Sequence, residues 1–465
     1  MIALSLVDLA GVVSGRIDER EGVSKILAGP VVVDSRLASE GSIFIAMRGE
    51  TTDGHEFAAS AVAAGAAAVI AERDLDIGVP VIVVADSLVA LSTLATEVVA
   101  RVRALGRLRI VAVTGSNGKT TTKNMLRTIL ETKGPTVAPR GSFNNQVGAP
   151  LSMLGIDNDT EFLVVEMGAS AAGDIARLVS IVVPDVAIVL KVGLAHAGGF
   201  GSIDDTAKAK AEIVTELPPD AVAVLNTDDT RVESMAALTK ARVVRFGLSE
   251  RADVAAADVE TTVAGTGFTL VLGEERIPVR LRLLGEHNVM NALAAVAATR
   301  ELGVEPHAAI TALGSMSRAE RWRMELLQSP DGITVLNDAY NASPDSMAAA
   351  LKTLAEITRG AHRAIAVLGE MAELGSFSDE EHDRIGRLVV RLNIDKLVVV
   401  GHRARHIHNA AGLEGSWDGE SVLVQTPDEA YDLLRDEMRA GDVVLVKSSN
   451  SAGLRLLGDR IAGVS

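Results

Sequence analysis

The chain has 465 residues, a net charge of −16 and no cysteine, a length beyond the reach of one growing core, so about three domains are expected. The acidity argues against a nucleic-acid partner, and the missing cysteine excludes disulfide and thiolate chemistry. With 48% hydrophobic residues but only 3% aromatics, Ala, Val, Leu and Ile must build the core, which suits an α/β protein of parallel strands and covering helices.

Segment 1–13 lacks the early positive charge of a signal peptide and carries Asp8, so it reads as an amphipathic helix. The longest uncharged run, 57–71, is too short to span a membrane. A soluble cytoplasmic monomer with no membrane insertion is expected. Residues 1–105 then alternate short apolar strands (31–33, 43–47, 66–71, 81–84) with alanine-rich helices, a small α/β unit. Its segment 34–57 is dense in turn residues and places Ser35, Arg36, Arg48 and His55 near strand ends, where open α/β sheets bind ligands; the other reading is ordinary loop polarity.

Residues 106–318 open with RLRIVAVTGSNGKTTTKNM (107–125), around which the chain is organised. An apolar strand drops through Gly115 and Gly118 into a helix, with Lys119 as a cation and Thr120 offering a hydroxyl to Mg²⁺: a phosphate cradle. A standard Walker A loop has its first glycine where this chain has Val113. Later buried strands (162–166, 186–190, 221–226) end in polar residues, so Glu166 and His196 converge on the cradle if the sheet is doubly wound. The carboxylate is a natural Mg²⁺ partner; His196 reads equally as a ligand or a structural histidine. On the helix 203–217, Lys208 has Asp204 and Glu212 four residues to either side, an exposed ion-paired stripe. Lys210 lies roughly 200° around the helix among Thr206, Ile213 and Val214, so it either snorkels to the surface or is held for a purpose.

Residues 253–284 read as a β-rich excursion with turns at 265–267 and 273–275. Asn288 either caps the following helix or, with Asn291 on the same face, reads the edge of an adenine. From 319 to 465 a third α/β unit restarts, with four strands (333–337, 364–368, 397–400, 443–446) ending in polar or glycine-rich loops, as in a Rossmann-like domain. Arg321 and Arg323 sit at the boundary, where a phosphate-bridging arginine could swing in; the other reading is a surface feature of a linker.

In their order, DSRLASEGSIFIAMRGETTDGHEF (34–57), VTGSNGKTTTK (113–123), SFNNQVGAPLSML (142–154), EMGASAAGDI (166–175), AKAKAEI (207–213), GEHNVMNALAA (285–295), YNASPDS (340–346) and GEMAELG (369–375) resemble the ATP-dependent Mur ligases over nearly the whole chain. YNASPDS and GEMAELG point to the MurF branch. The resemblance implies three α/β domains: 1–105 binding a UDP-linked substrate, a central P-loop-type doubly wound ATPase domain at 106–318, and a Rossmann-like ligase domain at 319–465. It implies an enzyme that uses ATP to join D-alanyl-D-alanine to UDP-N-acetylmuramoyl-tripeptide through an acyl phosphate, for peptidoglycan synthesis. ATP would be held by Thr114, Gly115, Ser116, Asn117, Gly118, Lys119, Thr120 and Thr121, with Asn288, Arg323 and Asp338 from the cleft side. Of two Mg²⁺ ions, one would be bound by Thr120 and Glu166, the other by His196 and a carbamylated Lys210. Lys119, Lys210 and His196 would be catalytic. Ser35 and Arg36 would meet the uridine nucleotide, Asn145 the sugar-peptide and Asn341 the dipeptide. Lys191, Ala197 and the run Lys447-Ser448-Ser449-Asn450 depart from the family's usual residues. The rival readings are another ligase of the superfamily, of MurE, folylpolyglutamate or cyanophycin type, and a nucleotide-driven switch.

Overall fold

The computed structural model describes residues 1–17, 25–49, 51–139, 141–194, 201–415 and 417–464. His196 and Ala197 lie outside the described residues. Among the described residues three parallel or mostly parallel sheets follow one another along the chain. The first has four strands in the order Val31–Val32, Ile43–Ile45, Ala68–Ala71, Val81–Val83. The expected helix at the start is shorter than its apolar pattern. Leu4–Ser5 pairs as a strand with Ile26–Leu27, and the helix runs only over Leu6–Val12, capped by the Ser5 hydroxyl.

A longer helix, Ser87–Ala104, joins the first sheet to the second. Asp86 caps it, accepting from the Leu88 and Val89 amides, and Arg101 and Arg103 in the last turn suit its negative end. Its buried face, including Leu91, Leu94 and Val98, belongs to one core that continues from Ile43 and Ile82 into Ile110 and Val165 of the central sheet. The opposite face of that sheet is covered by the helices Lys119–Leu130 and Glu286–Glu301.

The central sheet has nine strands: Glu275–Leu281, Gly265–Leu272, Val254–Thr262, Arg242–Gly247, Val222–Asn226, Val186–Val189, Arg109–Thr114, Phe162–Glu166 and Thr136–Val137. Arg109–Thr114 is flanked by Phe162–Glu166 on one side and Val186–Val189 on the other. The chain departs to one side and returns to the other, so the carboxyl ends splay open at a switch point, where such sheets bind ligands. The expected turn at 265–267 is a strand instead, and the reversal lies at 263–264. Gly265 serves a close approach: a Cβ there would stand 2.0 Å from the Leu281 carbonyl oxygen.

The third sheet has six strands where four were expected, in the order Glu325–Gln328, Thr334–Asn337, Val443–Lys447, Ala364–Leu368, Lys396–Val400, Glu420–Val424. The two extra strands are the edges. Neither ELLQ nor ESVLV is the continuous apolar run of a strand buried on both faces. The ion-paired stripe expected on Ile203–Thr215 is also rearranged. Lys208 pairs with Asp205 and Asp204 with Arg231, while Glu212 accepts from the Gly173 and Ala176 amides at the start of the neighbouring helix Asp174–Ile181. A carboxylate at a helix N-terminus satisfies orphan amides as well as the dipole. Among the described residues no helix is long and apolar enough to cross a membrane.

Gly386 marks a close helix contact in the third unit. A Cβ there would lie 2.2 Å from the backbone oxygen of Ile407 in the adjoining helix, where neither backbone can yield cheaply. Gly386→Ala is expected to lower stability by about 1–3 kcal/mol, read as a shifted midpoint in urea unfolding; an unchanged midpoint would contradict the packing described.

Candidate active site

The strand Arg109–Thr114 ends in the phosphate loop, and the helix Lys119–Leu130 begins directly after it. Gly118 takes φ +85°, and a Cβ on it would meet the Asn291 Oδ1 at 2.4 Å, so glycine is required both for the backbone and for the neighbour. Ser116 is bound twice to Gly193, donating to its oxygen at 3.1 Å and accepting from its amide at 2.8 Å, which ties the loop to the next strand end. Lys119 donates to the Gly115 oxygen at 2.7 Å. Burial pulls its pKa down, offset by Glu166 and deepened by Arg323.

Glu166, at the end of the neighbouring strand, is fully buried. One of its oxygens accepts from the Thr120 hydroxyl at 2.9 Å, the other from Ser142 at 2.9 Å and Asn144 at 2.8 Å. The Lys123 ammonium, also fully buried, lies 3.9 Å from the carboxylate and donates to the Gly141 oxygen. Burial lowers Lys123 to about 8, against the opposing pull of Glu166 and Glu320. Lys210 is only 3% exposed and has no hydrogen bond or ion pair among the described residues. Burial, and then the charge of Lys119, bring its pKa down to about 7. The helix thus does bury this lysine rather than let it snorkel.

The third unit meets the loop from the other side. Ser343, which caps the helix Pro344–Thr358, donates to the Asn117 Oδ1 at 2.9 Å, and Asp345 lies 3.4 Å from the Lys191 ammonium. Between them is a cleft of about 1380 Å³ lined by the phosphate loop, Glu166, Lys210, Asn288, Arg323, Asp338 and Asn341. The Arg323 guanidinium stacks over the Tyr340 ring at 4.3 Å, and its buried Nε has no hydrogen-bond partner among the described residues. It is presented by a left-handed turn, with Trp322 at φ +58° and Met324 at φ +47°. Such conformations cost about 1–3 kcal/mol each for bulky residues, so the surroundings must impose them. Asp338 pairs with the buried Lys447 at 2.6 Å and caps the Met324 amide at 3.0 Å. His287, beside Asn288, is held at about 4 by burial, with Asp338 opposing and Lys447 reinforcing, so it is neutral near pH 7.

The structure therefore gathers most of the sequence-derived residues in one place. Thr114 is buried behind the loop rather than lining the cleft, and Thr121 lines it. Asn145 lines the cleft, while its Oδ1 accepts from the Val147 and Gly148 amides. Asn288 does not cap its helix; it donates to the Leu284 oxygen at 2.8 Å and accepts from Asn291. Ser35 and Arg36 lie outside the cleft on the first unit, Arg36 being paired with Asp34. Arg48 pairs with Glu72, and the buried His55 contacts Asp53 and accepts from the Glu72 amide. Sequence reasoning missed Lys123, Ser142 and Asn144. Lys123 carried a signal, four residues beyond Lys119 on one helix face; the other two lie on a loop without periodicity.

A hydroxyl and a buried carboxylate at the N-terminus of a helix form a hard oxygen set that fits Mg²⁺, and the loop with its cations fits polyphosphate. Among the described residues no group of three or more His, Asp or Glu forms a metal cluster.

Comparison with known proteins gives matches in the same order as the sheets. Residues 30–109 match the Mur ligase family, catalytic domain; 113–299 the Mur ligase middle domain; and 322–450 the Mur ligase, glutamate ligase domain. The chain is similar to the UDP-N-acetylmuramoyl-tripeptide–D-alanyl-D-alanine ligase of Mycobacterium tuberculosis, 42% identical with 99% of this chain and 98% of the relative covered. It is 34% identical to the Escherichia coli enzyme of that name, covering 98% and 97%. Among solved structures, MurF from Acinetobacter baumannii superposes with a TM-score of 0.87 at 32% identity over 98% of both chains. MurF ligase from Thermotoga maritima in complex with ADP gives 0.81 at 29% identity, over 94% and 98%. With family models covering most of its length in sequence and relatives alike from end to end, this chain belongs to the Mur ligase family.

Proposed function

We propose that the chain is the ATP-dependent ligase that joins D-alanyl-D-alanine to UDP-N-acetylmuramoyl-tripeptide, giving the pentapeptide used in peptidoglycan synthesis. The observation that carries this reading is the shared cleft: a phosphate loop and a buried carboxylate on one wall, Arg323, Asp338 and Asn341 on the other. The end-to-end likeness to ligases of that name selects the substrates. A cysteine-free chain acting on ATP and a UDP-linked precursor suits the cytoplasm.

In the proposed reaction the tripeptide carboxylate attacks the γ-phosphate of ATP, and ADP leaves. The amine of the dipeptide then attacks the acyl phosphate, the amide forms, and phosphate and a proton are released. Both carboxylate and triphosphate are anions, so the first difficulty is their repulsion. Lys119, Arg323 and the N-terminus of Lys119–Leu130 hold positive charge around the phosphates in a setting of lowered dielectric. Gly115 to Thr121 grip the triphosphate through backbone amides, and Asn288, Arg323 and Asp338 hold the nucleotide from the cleft side. Thr120 and Glu166 would hold one Mg²⁺ and His196 with carbamylated Lys210 a second, supplying further charge neutralisation at the transferred phosphate. Ser142 and Asn144 orient the Glu166 carboxylate. Ser35 and Arg36 would bind the uridine nucleotide on the first unit, Asn145 the sugar-peptide and Asn341 the dipeptide. Contact between Ser343 and Asn117 brings the third unit over the loop, which positions the amine and limits access of water.

A carbamate on Lys210 is supported by its burial, its lack of a described partner and its pKa of about 7. An ordinary lysine is neutral in only about one molecule in 2,500 at pH 7; burial and then Lys119 lower this amine to about 7, so the neutral form that captures CO₂ is far more available. A buried anion beside magnesium is then better tolerated than a buried ammonium beside Lys119.

Incubation with UDP-N-acetylmuramoyl-tripeptide, D-alanyl-D-alanine and MgATP is expected to yield the pentapeptide by mass spectrometry, with little ATP hydrolysis when either cosubstrate is left out; rapid uncoupled hydrolysis would count against the reading. Lys210→Ala should lose activity by about a thousandfold, in line with removal of a transition-state charge partner, and regain part of it with a small added carboxylate. With ¹³C-bicarbonate, the carbamate resonance should grow from pH 6 to pH 8 and vanish in Lys210→Ala; a resonance independent of pH, or an unimpaired variant, would remove the carbamate from the mechanism.

A further inference from the structure

We propose that Asp459, in the last helix of the chain and outside the cleft, is the positioning residue that holds the strained turn 321–324 and thereby aims Arg323 at the nucleotide phosphates. The inference rests on the ligase reading above and adds to it a residue beyond the matched family domains, which end at 450.

The turn is strained on both sides of Arg323, and neither Trp322 nor Met324 would choose its left-handed backbone unaided. What holds Met324 is local: its amide donates to Asp338 at 3.0 Å. Trp322 is held from two sides: its amide donates to the buried Glu325 at 3.0 Å, and its side chain is held from a distance in sequence. Its indole Nε1 donates to the Asp459 Oδ2 at 2.9 Å, and the same oxygen accepts from the Arg321 guanidinium at 2.9 Å. The other oxygen, Oδ1, accepts from the Asn337 side chain at 3.0 Å. Asp459 is only 7% exposed, so its charge is there to be used by these donors. Arg321 and Arg455 further clamp the indole by cation–π contact, at 4.8 and 5.2 Å. The Trp322 oxygen accepts from the Tyr340 amide at 3.1 Å, and it is the Tyr340 ring on which Arg323 lies. With Glu325 on the Trp322 amide, the buried Asp459 on its indole therefore supports both the turn that presents Arg323 and, through Tyr340, the surface that orients it. Arg323 is left with its Nε unpartnered among the described residues and its charge near Lys119, an arrangement that only an anion would favour.

Asp459→Asn keeps the shape but can accept on only one oxygen, so one of the two donor sets loses its partner. Trp322→Phe keeps an aromatic ring for the two arginines while removing the indole donor and part of the ring surface, and so supplies a second variant should Asp459→Asn not fold. Binding of magnesium adenylyl-imidodiphosphate, followed by calorimetry, is expected to weaken about tenfold in Asp459→Asn and about threefold in Trp322→Phe. Binding of UDP-N-acetylmuramoyl-tripeptide should be unchanged. In an Arg323→Ala background neither second substitution should weaken the nucleotide further by more than about twofold, because both act through Arg323. Additive losses in that cycle, or equal losses for both substrates, would overturn the assignment while leaving the ligase reading intact. A wild-type chain that binds no nucleotide would overturn both.

Discussion

A buried carboxylate is tolerated only where donors surround it, and the interior of this enzyme is arranged around one such group. Glu166 is at the end of a central strand with the Thr120 hydroxyl on one oxygen, Ser142 and Asn144 on the other and the Lys123 ammonium close by. Those partners come from the phosphate-loop helix and from the loop that follows it. Fixing Glu166 thus fixes the mouth of the cradle and the wall beside it. Removing any one donor would leave a buried charge short of a bond.

Around that anion the chain accumulates cations that do not neutralise one another. Lys119, Lys123, Lys210 and Arg323 share the neighbourhood, and the pKa of each of the three lysines falls because burial penalises its charge. Such a site is unfavourable when empty of anions and favourable when a triphosphate and a carboxylate enter. The stability forgone in the folded chain is the same electrostatic potential that stabilises phosphoryl transfer. Arg323 shows how the potential is kept in place: a left-handed turn, an aromatic platform and a buried aspartate from the far end of the chain hold one guanidinium in the cleft.

The phosphate loop was legible because its constraints are local. A strand of continuous apolar residues, two glycines, Lys119 and Thr120 follow one another within a dozen positions, and φ +85° at Gly118 is what a turn of that kind demands. The buried side of Ile203–Thr215 was legible too, because helical periodicity places Lys210 with Ile213 and Val214. Edge strands were not. Glu325–Gln328 and Glu420–Val424 pair on one side only, so nothing selects a fully apolar run. Gly265 misled for a related reason, since a glycine chosen for a neighbouring backbone looks in sequence like one chosen for a turn.

The sequence by itself determined the α/β class, the nucleotide cradle and which helix face carries Lys210, since each follows from residue spacing along one element. Only the tertiary structure decided which side chains meet. Glu212 caps another helix instead of pairing with Lys208, Asn144 reaches Glu166, and Asp459 reaches Trp322 across 137 positions. The reason is physical: contacts within an element depend on a fixed pitch, whereas contacts between elements depend on how sheets and helices pack, and packing is set by the whole core at once.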